Sequence, residues 1–464
     1  MTPRGCILNR EDLISHGDSN LRGLAIDIIE AALAAADPHA AVHRLLHRTG
    51  NRLSISDLSL DLAQYDRIFV LGAGKASGGI GRALEEILGD RIAGGLFVLK
   101  HGDEASLKHA DVIHAGHPLP DENSYRGAGA LLELASGLTV RDLVFAGITG
   151  GSSALLCQPV PGVSLQDKRQ VHELLLLSGA DIFQINAVRK HLSQIKGGWL
   201  AKAILPATLI NLTVSDVVGD ALDYITDPTV PDTSTFEDAR TVLDEYDLWA
   251  HLPQAPADHI RGGDSALETP KAFPGQPLHT FILVPGEAAC LGAHRRAAAL
   301  GFQTMILTTR LEGEAKEAGA FLASLAHDIT AHGRPIASPC AVIAGGENVV
   351  SIGSGERGLG GPNQEFALGA SLKIHGLKNV LVASVDTDGS DGPTDVAGGM
   401  VDGSTEERMK AAGFQPRRSL RVHDVSRVLR AVGDAILTIP TGTNVNDLQL
   451  LLVGLPESGQ PGIS

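Results

Sequence analysis

The sequence predicts an α/β protein with two sheets: a mainly parallel one covered by helices on both faces, then a mixed one. Three observations carry that expectation. Apolar runs that end in Gly-rich loops alternate with helical stretches of ten or more residues. A Pro- and Gly-rich stretch, 225–275, breaks that rhythm in the middle of the chain. Beyond it, the alternating residues 348–353 (NVVSIG) read as an antiparallel strand in a hairpin. With 464 residues the chain exceeds one ordinary core, so two domains are expected, 1–245 and 246–464.

Element by element, residues 21–36 have helical spacing, end at Asp37-Pro38 and offer Ser19 or Asn20 as N-cap. Arg67–Leu71 is a short strand leading through Gly72-Ala-Gly74-Lys75-Ala-Ser77 into a helix over 80–88. Leu143–Ala146 leads into Thr149-Gly150-Gly151-Ser152-Ser153, and residues 207–215 lead into Asp216-Val-Val-Gly219-Asp220. The second series reads as strand 280–284, helix 286–300, strand 304–308, helix 313–332 and strand 340–344, the last followed by a Gly-rich stretch from 345 to 362. Asn379–Ser384 is a further buried strand.

Composition narrows the function classes. Hydrophobic residues make up 43% and charged residues 20%, as in a globular protein. Aromatic residues, at 4%, are too few for a base-stacking surface, and a net charge of −16 disfavours nucleic acid as partner. A small anion stays compatible, since a pocket can be basic on an acidic surface. Cys6, Cys157, Cys290 and Cys340 form no CxxC pair and read as reduced thiols. No stretch approaches the roughly 20 apolar residues of a membrane span, so a cytoplasmic protein without membrane contact is expected.

The loops suggest phosphate chemistry. Asp386, Asp388, Asp391 and Asp395 crowd four carboxylates into the eleven residues 385–395, where they repel one another unless a cation or solvent offsets them. An EF-hand register fails there, because position twelve from Asp386 is Ala397. The 72–77 loop suits an anion but fails the P-loop pattern at Phe69 and Ala76, and GxGxxG at Ser77. The 149–154 loop adds hydroxyl donors and lacks the G-x-S-x-G elbow. Arg189, Ser193 and Lys196, at i, i+4 and i+7, share one helix face, a cationic stripe that suits an anion or an ordinary solvated helix. Asp216 and Asp220 suit Mg²⁺, or Asp216 caps the next helix.

Taken in order, the motifs GAGKAS, HAGHPLPDENS, TGGSSALL, NAVRKHLSQIKGG, SDVVGD, PTVPD, GGEN, GGPNQE, DTDGSDGPTD and TGTNVNDL resemble the glycerate 2-kinase family with a C-terminal MOFRL domain, some of whose members carry a hydroxypyruvate reductase label. The resemblance spans about residues 20 to 453. It implies a Rossmann-like three-layer α/β/α domain followed by a smaller mixed-sheet α/β domain. The reaction implied is transfer of the γ-phosphate of ATP to the 2-hydroxyl of D-glycerate or a related hydroxy acid, with Mg²⁺. By that resemblance Lys75, Asp216 and Asp386 are catalytic, with Asp216 or Asp386 accepting the hydroxyl proton. Gly150, Gly151, Ser152, Ser153, Asn186, Arg189, Lys190, Lys196, Asn363 and Glu365 hold substrate. Gly72, Gly74, Asp391, Thr443 and Asn444 belong to the nucleotide, and Asp216 and Asp220 to the metal. The partners implied are a small-molecule hydroxy acid and a nucleotide, and a homodimer is compatible with them. Two departures stand out: Pro362 where the family carries Arg, and Thr226-Asp227 where it carries Ser-Gly. Arg357 is the nearby candidate to replace the missing cation at the substrate. A nicotinamide-dependent hydroxypyruvate reductase and a non-catalytic ligand-binding protein remain alternatives. Against the reductase, Asp90 sits in a turn after a helix, away from the end of a second strand.

Overall fold

The computed structural model describes residues 5–103, 105–217, 219–225, 227–353 and 357–454. It divides into two compact units, Pro38–Val284 and the pair of segments Met1–Asp37 and Pro285–Ser464.

In the Pro38–Val284 unit, β1 (Leu46–Thr49), β2 (Arg52–Ile55) and β3 (Leu58–Asp61) form a small antiparallel sheet. The main sheet holds β4 (Arg67–Ala73), β5 (Ile92–Lys100), β6 (Asp111–Ala115), β7 (Asp142–Ile148), β8 (Thr208–Val214) and β9 (Leu278–Val284). Every pairing in it is parallel, in the order β6-β5-β4-β7-β8-β9. The order runs outward from β4 to β6, then restarts on the other side at β7. That is the doubly wound, Rossmann-like arrangement, and it opens a crevice at the carboxyl ends of β4 and β7. β7 and β8 are buried at every residue, as central parallel strands must be. Leu71, Val98, Val144, Ile148 and Leu209 pack there with Leu131, Ile195 and Leu200.

The division differs from the expected 245/246. The strand expected to open the second series is β9, and it completes the first sheet by pairing with β8 from Leu209↔Leu278 to Val214↔Val284. A fully buried β8 needs hydrogen-bond partners on both sides, and β9 supplies the second. The Pro-rich stretch before it is no linker. Helices Phe236–Glu245 and Gln254–Gly262 lie in it, and Ala239, Val242, Leu243 and Ile260 pack on Val171, Leu175 and Val188.

The other unit carries the expected mixed sheet: β10 (Gln303–Glu314), β11 (Cys340–Val349), β12 (Val380–Asp386), β13 (Gly398–Asp402), β14 (Ala435–Ile436) and β15 (Asp447–Val453), ordered β10-β11-β15-β12-β13-β14. Only β10 and β11 run parallel. The hairpin expected at 348–353 is absent. β11 continues through Gly345-Gly346-Glu347-Asn348, where Gly345 and Gly346 pair with Leu448 and Asp447, and residues 350–353 lie outside any strand.

The N-terminal segment joins this unit through a buried charge. Helix Ser19–Ala35, capped by Asp18 rather than Ser19 or Asn20, carries the fully buried Arg22. Its guanidinium donates to Asp402 at 2.7 Å and to Asp434 at 2.8 Å. Burial pushes the Asp402 carboxyl up, but Arg22 and the Ser404 donors outweigh it and hold it at about 2. The four cysteines are free thiols, and among the described residues no helix is long and apolar enough to cross a membrane. Arg22→Ala should cost about 3 kcal/mol in denaturant unfolding, the low end for breaking a buried pair, because Arg408 stays on Asp434 and Ser404 on Asp402. A loss below about 1 kcal/mol, the worth of an exposed pair, would contradict that reading.

Candidate active site

Two of the sequence-picked loops meet at the crevice of the parallel sheet. The Lys75 N–H donates to the Gly150 carbonyl at 2.9 Å, and the Thr149 N–H donates to Ala73 at 2.9 Å. The Ser77 hydroxyl donates to the Gly147 carbonyl at 2.7 Å. Gly74 has φ +125°, and a Cβ there would lie 2.3 Å from the Thr149 hydroxyl, so two conditions demand glycine. Gly72 lies inside β4, where a Cβ would clash with Phe97. A Cβ on Gly151 would touch the His117 imidazole at 3.1 Å and the Lys75 side chain at 3.4 Å, so both flank the second loop. A Cβ on Gly150 would sit 1.7 Å from Asp216 Oδ2, which places that carboxylate directly against the loop. The next helix, Leu222–Ile225, starts too far on for Asp216 to cap it. Asp220 takes φ +57° after Gly219.

Two cationic side chains converge on Ser153. Lys196 Nζ donates to Ser153 Oγ at 2.8 Å, and Arg189 reaches the Ser153 carbonyl at 3.4 Å and Asn186 Oδ1 at 3.5 Å. Ser152, almost fully buried, opens the short helix that follows Gly151. The shared helix face expected for Arg189, Ser193 and Lys196 does not exist. The helix ends at His191, the chain turns, and Arg189 and Lys196 converge in space instead. Lys190 turns away from Ser153. It is buried in an ion pair with Asp232 at 2.9 Å, with Asp223 at 3.6 Å and Tyr224 beneath it, contacts that hold the fold.

Sequence reasoning missed Lys168 and His172. Both lie on helix Leu165–Ser178, four residues apart and so on one face. The available signal was a lysine in the apolar stripe of Val171 and Leu175. Lys168 Nζ donates to the Leu192 carbonyl at 3.1 Å, and the buried His172 Nδ1 has no hydrogen-bond partner among the described residues. Burial pushes Lys196 down to about 7 and Lys168 to about 8, with Arg189 adding repulsion in each case. Burial and the same cations hold His172 at about 4, hence neutral. Asp227 offsets part of this charge, and its carbonyl accepts from the Gly198 N–H at 2.7 Å. Its neighbour in the family departure, Thr226, lies outside the described residues.

In the other unit the acidic residues take mostly structural work. Asp391 is fully buried and accepts from the N–H groups of Asn363 at 3.0 Å and Gln364 at 2.9 Å, capping helix Pro362–Lys373 from outside. Asn363 also donates to Asp447 at 2.6 Å and accepts from Ser384 at 2.5 Å. Burial raises Asp391 to about 6; burial and the Asp391 charge raise Asp447 as well. Glu365 is buried against His423 at 2.7 Å. Thr443 donates to the Ala36 carbonyl at 2.7 Å, and Asn444 accepts from the Asn446 N–H at 3.3 Å. In this structure the polar groups of Asp391, Thr443 and Asn363 hydrogen-bond within the unit. Asp395 pairs with Arg430, and Asp386 accepts from the Asp388 N–H at 2.9 Å. Pro362 occupies the first turn of its helix, where a missing N–H costs nothing. Arg357 lines a pocket of about 600 Å³ with Arg418 and Arg427.

The reductase alternative loses its acidic residue. Asp90 precedes β5, at the end of the sheet opposite the glycine loops, and β5 ends in Lys100.

Sulfate, doubly charged throughout the range, probes the pocket. Its affinity should be highest below about pH 7 and fall as pH rises through 7 to 8, when Lys196 and then Lys168 deprotonate. Lys196→Met should weaken it about tenfold or more, the worth of one charged hydrogen bond. A titration that is flat across this pH range would contradict the pocket.

Residues 24–261 match the family described as Domain of unknown function (DUF4147), and residues 340–447 match the MOFRL family. A glycerate 2-kinase of Pyrococcus horikoshii is 41% identical over 94% of this chain and 98% of its own length. An Agrobacterium vitis protein provisionally named hydroxypyruvate reductase is 38% identical over 94% of this chain and 95% of its own. A crystal structure of a glycerate kinase from Thermotoga maritima, 38% identical, superimposes with a TM-score of 0.81 over 94% of this chain and 99% of that one. With nearly its whole length matched in both sequence and fold, the chain belongs to the glycerate 2-kinase family that joins a DUF4147 domain to a MOFRL domain.

Proposed function

We propose that the protein is an ATP-dependent kinase of D-glycerate, or of a closely related hydroxy acid, forming the 2-phosphate ester. The observation that carries the reading is the pair of buried cations on Ser153, Lys196 and Arg189, beside the Gly150-Gly151 loop, with Lys168 near enough to repel Lys196. Phosphoryl transfer asks a protein chiefly for positioning and charge neutralisation, and this set supplies both to an anionic substrate. The bond from the γ-phosphorus to its bridging oxygen breaks, the bond to the 2-hydroxyl oxygen forms, and ADP leaves. Lys75, beside Gly151, is proposed to neutralise the transferring group. Asp216, set against Gly150, is proposed to accept the hydroxyl proton, with Asp386 the alternative acceptor. Asp220 offers the hard oxygens that Mg²⁺ prefers, one or two carboxylates with phosphate and water completing its shell. When bound, Mg²⁺ would neutralise phosphate charge. A cytoplasmic setting belongs to the same proposal.

A coupled ADP-release assay with D-glycerate, ATP and Mg²⁺ tests the reading directly, and turnover dependent on D-glycerate is expected. No ADP release, together with NADH oxidation by hydroxypyruvate, would replace it with the reductase. Lys75→Ala should lower kcat by about 10²–10³, the loss typical of one charge-stabilising donor, without altering the folded spectrum. Normal turnover in that variant removes Lys75 from the mechanism. Gly150→Ala should displace the Asp216 carboxylate and lower kcat more than it changes KM; unchanged kinetics would separate Asp216 from the chemistry.

A further inference from the structure

Away from the glycine loops, two helices of the Pro38–Val284 unit bring three metal-binding groups to one point on the surface. Helix Pro38–Leu45 carries His39 and His43, four residues apart and therefore on one face. Helix Ser77–Leu88 carries Glu86. Glu86 Oε2 lies 3.0 Å from His39 Nε2 and 2.7 Å from His43 Nε2, and the two imidazole centroids are 4.9 Å apart. One ligand atom from each residue falls within 4.8 Å of the other two. The helices approach closely where Gly79 faces Pro38 and His39. Arg48 fixes the far end of the second helix by donating to the Ile87 carbonyl at 3.2 Å and to the Leu88 carbonyl at 2.6 Å. The side chains are 30%, 40% and 54% exposed, so an ion can enter from solvent and water can complete its shell.

We propose that His39, His43 and Glu86 form a binding site for a divalent first-row transition metal, of which Zn²⁺ is the representative. Two imidazole nitrogens with one carboxylate oxygen is a borderline donor set. It suits Zn²⁺, Co²⁺ or Ni²⁺, whereas Mg²⁺ and Ca²⁺ require oxygen-rich shells. A His pair at this helical spacing holds two of the ligands in register before the ion arrives. The bound ion cross-links helix Pro38–Leu45 to the helix that begins directly after the Gly74-Lys75 loop, and stabilises the folded state by mass action.

The test uses the full-length protein without an affinity tag. Co²⁺ is titrated in by its visible absorption, and Zn²⁺ by calorimetry, in the presence of excess Mg²⁺. The expected result is a saturable site that Mg²⁺ does not displace. His43→Gln and Glu86→Gln should each weaken it by at least about tenfold, the low end of what even an outer-shell partner contributes. Zn²⁺ should raise the melting temperature of the parent protein and not that of the double variant. If His43→Gln shifts the metal-free melting temperature, His39→Gln carries the same comparison. Affinity unchanged by these substitutions, or no saturable binding, overturns the proposal and leaves the three residues as a hydrogen-bonded surface cluster. None of these readouts involves turnover, so the result stands apart from the kinase assay.

Discussion

Taking three neighbouring cations out of water, with Lys196 and Arg189 on Ser153 and Lys168 close behind, is the constraint on which the rest of the site depends. Isolated buried cations are costly, and a protein retains them only where something repays the loss. Here Asp227 repays part, leaving Lys196 and Lys168 with protons held far more loosely than in solution. An incoming anion restores what burial removed. The depressed lysines mark this cluster as a candidate anion site. His172, neutral and with its Nδ1 unpartnered among the described residues, adds a polar wall without adding charge.

The doubly wound sheet explains why that pocket lies where it does. The change of winding direction between β4 and β7 leaves their carboxyl ends uncovered by a crossing connection, and both following loops are glycine-rich. Gly74 is required by its positive φ and by the closeness of Thr149, and Gly150 by the Asp216 carboxylate against it. The same residues that let two loops touch also bring Lys75, His117 and Asp216 to their junction. Fold and chemistry are coupled through missing side chains as much as through present ones.

Much of this was readable before any coordinates. The parallel and mixed sheets, the two anion-suited loops and the free thiols followed from apolar runs, glycines and cysteine spacing. Three kinds of feature were not readable. Long-range pairing moved β9 into the first sheet and Arg22 into the second unit, because a strand edge or a buried carboxylate pair at the other end of the chain leaves no local mark. Helix termination at His191 replaced a helix face with a turn, yet Arg189 and Lys196 still converge, since each reaches Ser153 from a different element. Burial hid the internal partners of polar motifs: Asp391 and Asn363, picked from the sequence as ligands, also bond one another, Asp447 and a helix terminus in the fold. Lys168 was hidden for the opposite reason, as a charged residue in an apolar stripe.

The account is tested most directly by an NMR titration of the lysine ε-carbons, with Lys196 assigned through Lys196→Arg. In the free protein its midpoint should fall near about 7, well below the roughly 10.4 of an exposed lysine. Saturation with sulfate should move it upward. A Lys196 midpoint at the ordinary lysine value, unmoved by the anion, would show that the pocket is hydrated and that the desolvated cations on which the site rests do not exist.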